Sequence, residues 1–250
     1  MELTSIQIVL RPRTLFEILD LGLIFIRKFA PGLALIGLIF ILPLTLINPL
    51  IIRALGWDWS SSYLLWMAEM PIIHLPIVLY SSEALFNQKA QAQVAIRQTL
   101  RALPRLLLDV GFRAVLILTF IGIIILSFVH RHYLEIRYLE GLRGSDYSKR
   151  LSFFRGADHN GSAMLVLMTV LSVAGGFCIW IGLDFLLTIA FGATHSKYTT
   201  EVVSPYVWST LTVLPMLIYW PVVDFLTYID ARTRTEGWDL GLQLRYGDLV

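Results

Sequence analysis

Long apolar blocks alternate along this chain with short, heavily charged ones. Apolar runs cover about 31–52, 60–81, 105–129, 163–192 and 205–228, each at least as long as the roughly 20 residues that cross a bilayer as a helix. Firm spans are predicted at 31–52, 60–81, 163–192 and 205–228. The second is interrupted by Glu69, Pro71, His74 and Pro76. That pattern predicts a bent helix inside a bundle, where neighbours satisfy the carbonyls that proline frees. The run 163–192 carries Asp184, and the last run carries Pro215, Pro221 and Asp224.

The polar blocks have an order of their own. Residues 1–13 form a short arm holding Arg11 and Arg13. Thr14-Leu-Phe-Glu17 then fits a capping box, so a helix is predicted over about 14–29. Its Glu17, Asp20, Arg27 and Lys28 suit an interfacial helix better than a span. Pro31 suits the first turn of the next helix, where its missing N–H is no loss. Over 83–103, Leu85, Ala92, Ile96, Leu100 and Leu103 share one helical face, with Lys89, Arg97 and Arg101 elsewhere. This predicts a basic amphipathic helix on the membrane surface, ended by Pro104. A second such helix is predicted over 145–155, with Lys149, Arg150 and Arg155 available to phosphates.

Composition agrees with the pattern. At 56% hydrophobic and 15% charged, the chain lies well below the roughly 25% charged residues of soluble domains. Cys178 is its one cysteine, which excludes an internal disulfide and a cysteine-based zinc site. The mixed first ten residues do not fit a secretory signal.

Loop charge decides topology. If 105–129 were a simple span, lysine and arginine would divide evenly between the two sides, against the positive-inside rule. If 105–140 doubles back, as a re-entrant loop or a hairpin near Gly122, only Arg53 and Lys197 remain outside. Both termini are then cytosolic. The expected fold is an all-α polytopic bundle: four firm spans, a central doubled-back segment and amphipathic cytosolic-side helices. Its parts are an arm with interfacial helix (1–30), a membrane domain (31–229) and a cytosolic tail (230–250).

Three stretches carry a resemblance. They are Arg11-Pro-Arg-Thr-Leu-Phe-Glu17-Ile-Leu-Asp20, then Leu139-Glu140-Gly-Leu-Arg-Gly144 with Lys149-Arg150 and Phe153-Phe-Arg155-Gly156, and Tyr228-Ile-Asp230-Ala-Arg232-Thr-Arg234-Thr-Glu236-Gly237-Trp238-Asp239-Leu240. Together they resemble bacterial multi-pass proteins related to the membrane domain of some glycerophosphodiester phosphodiesterases. Lys149-Arg150-Leu151 stands where those relatives have an Arg-Ser pair. The resemblance implies an inner-membrane bundle with cytosolic amphipathic helices. It implies no activity, because a chain this short and apolar has no room for that enzyme's catalytic barrel.

Candidate chemistry is confined to ionisable residues in the spans. Each costs roughly 2.5–3.5 kcal/mol at a helix centre on insertion scales, so Glu69, His74, Asp184 and Asp224 form a candidate polar site. An aspartyl dyad of Asp184 and Asp224 is disfavoured, since the predicted spans place them at different depths. His130 and His132 beside Glu135 diverge at i, i+2 and are expected at headgroups rather than on a metal. No serine elbow, P-loop or dinucleotide motif occurs, so no catalytic residue, cofactor or metal is expected.

The expected function is a non-enzymatic membrane scaffold or accessory subunit. The alternative is a channel or transporter using the intramembrane acids, and the third is a lipid-acting enzyme. Expected partners are anionic headgroups and either another protein or a second copy, and not nucleic acid. The contact residues would be Arg11, Arg13, Lys149, Arg150, Arg155, Asp230, Arg232, Arg234, Glu236 and Trp238. The tail either binds a partner or folds back on the N-terminal arm.

Overall fold

The computed structural model describes residues 11–57, 62–86, 90–119, 132–157, 161–191 and 205–237, and every regular element among them is helical. Among the described residues three helices are long and apolar enough to cross a membrane: Ala30–Leu55, Ser62–Phe86 and Val213–Glu236.

Helix α1 is Leu15–Lys28. Both bonds of the capping box form: the Glu17 N–H donates to Thr14 Oγ1 at 3.4 Å, and the Thr14 N–H donates to Glu17 Oε2 at 2.8 Å. Ile18, Leu19, Gly22 and Phe25 make its buried face. Gly22 lets the last helix approach, because a Cβ there would stand 2.9 Å from Val223. After Phe29, Pro31 falls in the first turn of α2 (Ala30–Ile36), as its fixed φ favours. A π-helical turn, Gly37–Ile41, joins α2 to α3 (Leu42–Leu55), giving one rod closed by Gly56 at φ 63.

Helix α4 (Ser62–Phe86) is the centre of the bundle. Of its most apolar stretch 61% is buried, against 33% for Ala30–Leu55, so neighbours surround it while α2–α3 turns most of its surface outward. It runs through Pro71 and Pro76 without ending. Its main neighbours are α5 (Ala92–Leu118) and α8 (Pro205–Glu236). Trp66 from α4 and Phe225 and Tyr228 from α8 are among the largest fully buried side chains.

Two expected boundaries are corrected. The surface helix 83–103 and the run beginning at 105 are not separate, since α5 continues through Pro104. Pro104 and Leu100 are both exposed, on a side of the helix where water or headgroups can serve the Leu100 carbonyl that loses its donor. Residues 83–86 belong instead to α4. The last helix also runs past 228 to Glu236, so the tail boundary at 229/230 falls inside α8. Ion pairs at i, i+4 and threonine hydroxyls donating to i−4 carbonyls accompany this extra length.

Past α5 the chain is back beside it by Tyr133, whose hydroxyl donates to Asp109 Oδ2 at 2.8 Å. Gly122 and His130 lie outside the described residues. A second π-helical turn, Glu135–Leu139, leads to α6 (Gly144–Ala157), and the 31-residue α7 (Gly161–Phe191) packs on α8.

Candidate functional site

His74 lies halfway along α4 and is mostly buried. Its Nε2 stands 3.4 Å from Glu135 Oε1 and 3.9 Å from Asp224 Oδ2. Three separate elements thus converge on one imidazole nitrogen: α4, the π-helical turn and α8. These are ion-pair separations, long for hydrogen bonds. The Glu135 side chain is 2% exposed, so its charge has little water and depends on His74, with His132 also near, for compensation. Ile136 and Leu134, both buried, fix the turn that carries it. Arg137 holds the outer side of that turn, 3.7 Å from Asp109 and with its guanidinium over the Tyr133 ring at 5.2 Å.

Asp224 lies four residues before Tyr228, hence about 6 Å along the helix axis from the charged end of α8. The site therefore sits one to two turns inward of that end, between apolar packing and a layer of charge. Among the described residues no group of three histidine, cysteine or acidic side chains is arranged to hold a metal ion. Both carboxylates surround the imidazole nitrogen itself, an arrangement that suits a shared proton.

Glu69 belongs to a different contact. The sequence groups it with His74, five residues on, but its partner is Asn48 of α3, whose Nδ2 donates to Glu69 Oε2 at 2.9 Å. Asn48 is completely buried, and its Oδ1 accepts no hydrogen bond from another described residue. The i, i+5 spacing explains the separation, because it turns the two side chains about 140° apart around α4. Asn48 is a site residue that sequence reasoning missed. An amide inside an otherwise apolar run was the available signal.

The charged end is closed by two further networks. Glu140 accepts from Arg150 at 2.7 and 3.0 Å and from the Tyr228 hydroxyl at 2.6 Å. Arg150 also pairs with Glu236, which in turn takes Arg232 at 2.8 Å. The Arg150 guanidinium lies 4.6 Å from the Phe154 ring centroid. Partial burial disfavours its charge, yet hydrogen bonds to Glu140 and Glu236 prevail and push its pKa up. In the second network Asp230 accepts from the Arg13 N–H at 2.7 Å and pairs with Arg234 at 2.7 Å, while Arg234 also donates to the Arg13 carbonyl. Burial and the nearby Arg11 charge lower the Arg13 pKa. Arg11 pairs with Glu17 at 2.7 Å.

Of the proposed partner contacts, then, Arg11, Arg13, Arg150, Asp230, Arg232, Arg234 and Glu236 all bond within the chain. Lys149 is exposed, 4.0 Å from Asp146. The side chains of Arg155 and Asp184, and the whole of Trp238, lie outside what is described. His132 departs from its expected place at headgroups: it is 5% exposed, with φ 57, and its ring packs against Phe154 and Tyr228. Histidine is among the residues that tolerate this left-handed backbone. No family model, curated protein or solved structure matches the chain.

Proposed function

We propose that this is a multi-pass membrane protein that moves protons, as a channel or proton-coupled transporter, through the His74–Glu135–Asp224 centre. One observation carries the reading: an imidazole nitrogen within 4 Å of two carboxylates from two other elements, one to two turns inward of the charged end, where ionisable groups are costly. A histidine so placed can take a proton from one carboxylate and pass it to the other. Glu69 with Asn48 adds a second polar step on α4, nearer its other end.

We infer with it the fuller membrane arrangement. Helix α7 serves as a fourth span, supported by its 31-residue length and apolar sequence. The segment between α5 and Tyr133 doubles back, supported by the return of Tyr133 and Arg137 to Asp109. Both termini face the cytosol of a bacterial inner membrane, supported by the charge count and by Arg13 meeting Asp230 at one end.

Infrared difference spectra on stepping the pH of reconstituted protein test the centre. A carboxyl band that changes in wild type and is lost in Glu135→Gln or Asp224→Asn is the expected result. Identical spectra from all three contradict it.

The scaffold or accessory-subunit reading is kept on one observation. Helix α7 exposes Val166, Phe177, Ile181, Phe185 and Ile189, a surface that a second membrane protein could cover as well as lipid. A single copy without a stoichiometric companion after mild-detergent purification counts against it.

A further inference from the structure

One face of α5 changes character along its length. Arg97, Arg101 and Arg105 recur at i, i+4 and i+8, and all three are exposed. Leu108, Phe112 and Val115 continue the same stripe and are 75%, 57% and 63% exposed. At 1.5 Å per residue the arginine section is about 12 Å long and the apolar section about 10 Å. Sequence reading divided this stripe at Pro104, and only the continuous helix aligns its halves.

The three arginines differ from those at the charged end. Arg11, Arg137, Arg150, Arg232 and Arg234 each hold a carboxylate. Arg97, Arg101 and Arg105 make no hydrogen bond or ion pair with another described residue. Asp109, the acid that i, i+4 spacing offers Arg105, is engaged by Tyr133 and Arg137 instead. Among the described residues these three guanidinium groups therefore have no carboxylate partner, and they stand on one line directly continuous with an exposed apolar strip.

We propose that this stripe binds an anionic phospholipid from the leaflet in which α5 begins. The phosphate lies across Arg101 and Arg105, Arg97 reaches the outer headgroup, and an acyl chain runs along Leu108, Phe112 and Val115. Guanidinium forks match phosphate oxygens with paired hydrogen bonds. A soluble phosphate would use only the arginine half, whereas the change of character at Leu108 matches the headgroup-to-hydrocarbon boundary. The site is separate from the His74 centre and stands without it.

Native mass spectrometry of the full chain, released from mixed micelles of phosphatidylglycerol and phosphatidylcholine, tests the site. Wild type is expected to retain phosphatidylglycerol over phosphatidylcholine by roughly tenfold or more, the scale of a juxtamembrane basic cluster. The triple variant Arg97→Gln, Arg101→Gln, Arg105→Gln loses that preference, and Arg101→Gln alone loses part of it. Arg53→Gln, an exposed arginine outside the stripe, keeps it. Phe112→Ser weakens retention with no change of charge. Equal retention of the two lipids by wild type overturns the proposal. So does an equal loss in Arg53→Gln, or displacement by millimolar inorganic phosphate.

Discussion

Glu140→Gln is the sharpest perturbation of the closed end. The carboxylate accepts two hydrogen bonds from Arg150 and one from the Tyr228 hydroxyl, with its side chain 11% exposed and that of Arg150 22% exposed. Hydrogen bonds to charged groups contribute about 1.5–3 kcal/mol each and neutral ones about 1 kcal/mol. All three bonds end on the charged carboxylate, so simple addition gives roughly 4.5–9 kcal/mol, an upper bound, because Gln keeps the shape and one acceptor and Arg150 keeps Glu236. Residual solvent lowers it further. The expected loss is about 2–3 kcal/mol, a factor of roughly 30–150 in the folded-to-unfolded ratio. Reversible unfolding in mixed micelles with increasing dodecyl sulfate, followed by tryptophan fluorescence, reads it. Arg150→Gln closes the double-mutant cycle, and a coupling of at least about 1 kcal/mol is expected for groups in direct contact. A variant within about 0.5 kcal/mol of wild type, with additive effects, refutes the claim that this network holds α6 and the end of α8 together.

Further outcomes follow from single contacts. Gly32 lies where a Cβ would collide with the Tyr80 ring; Gly32→Ala is expected to cost about 1–3 kcal/mol in the same unfolding assay, partly recovered by Tyr80→Leu. Asn48→Ala leaves the buried Glu69 carboxyl without its amide and is expected to cost about 1–3 kcal/mol, whereas Asn48→Ala combined with Glu69→Met recovers most of it. The Thr14 N–H and then Arg11 stabilise ionised Glu17 and lower its pKa from the ordinary 4.5. The sign follows from linkage: the contribution is fully present above pH 4.5 and is lost as pH falls through the lowered folded value. Amide exchange of Leu15–Ile18, corrected for intrinsic rates, is expected to speed up over that window in wild type and to show no such step in Glu17→Gln.

Local signals were enough for the local structure. Thr14 and Glu17 announced the start of α1, Pro31 the start of α2, and apolar length the three membrane-length helices. Pro104 misled because propensity records a lost hydrogen bond but not where the freed carbonyl points; an exposed carbonyl costs little and the helix continues. Asp230 and Arg234 could be paired from their spacing, and the fold-back onto the N-terminal arm was one of two alternatives. That Asp230 also receives the Arg13 N–H depends on which ends of the bundle coincide. The His74 centre was legible only in part. His74 and Asp224 stood out as ionisable residues in apolar runs, but Glu135, in a charged block, was weighed only beside His130 and His132 and not with His74. The burial of Glu135 is set by Ile136 and by the return of Tyr133 to Asp109, long-range contacts that no local pattern encodes. Asn48 was overlooked for a related reason: an uncharged amide raises little alarm until its carboxyl partner is seen.

Proton flux tests the central claim most directly. Purified protein in vesicles carrying a pH-sensitive dye is placed under an imposed pH gradient with the membrane potential clamped. Wild type is expected to collapse the gradient faster than empty vesicles, and His74→Gln, Glu135→Gln and Asp224→Asn each to slow the collapse toward the empty-vesicle rate. Wild-type traces that coincide with those of empty vesicles, or flux unchanged in all three variants, contradict the account.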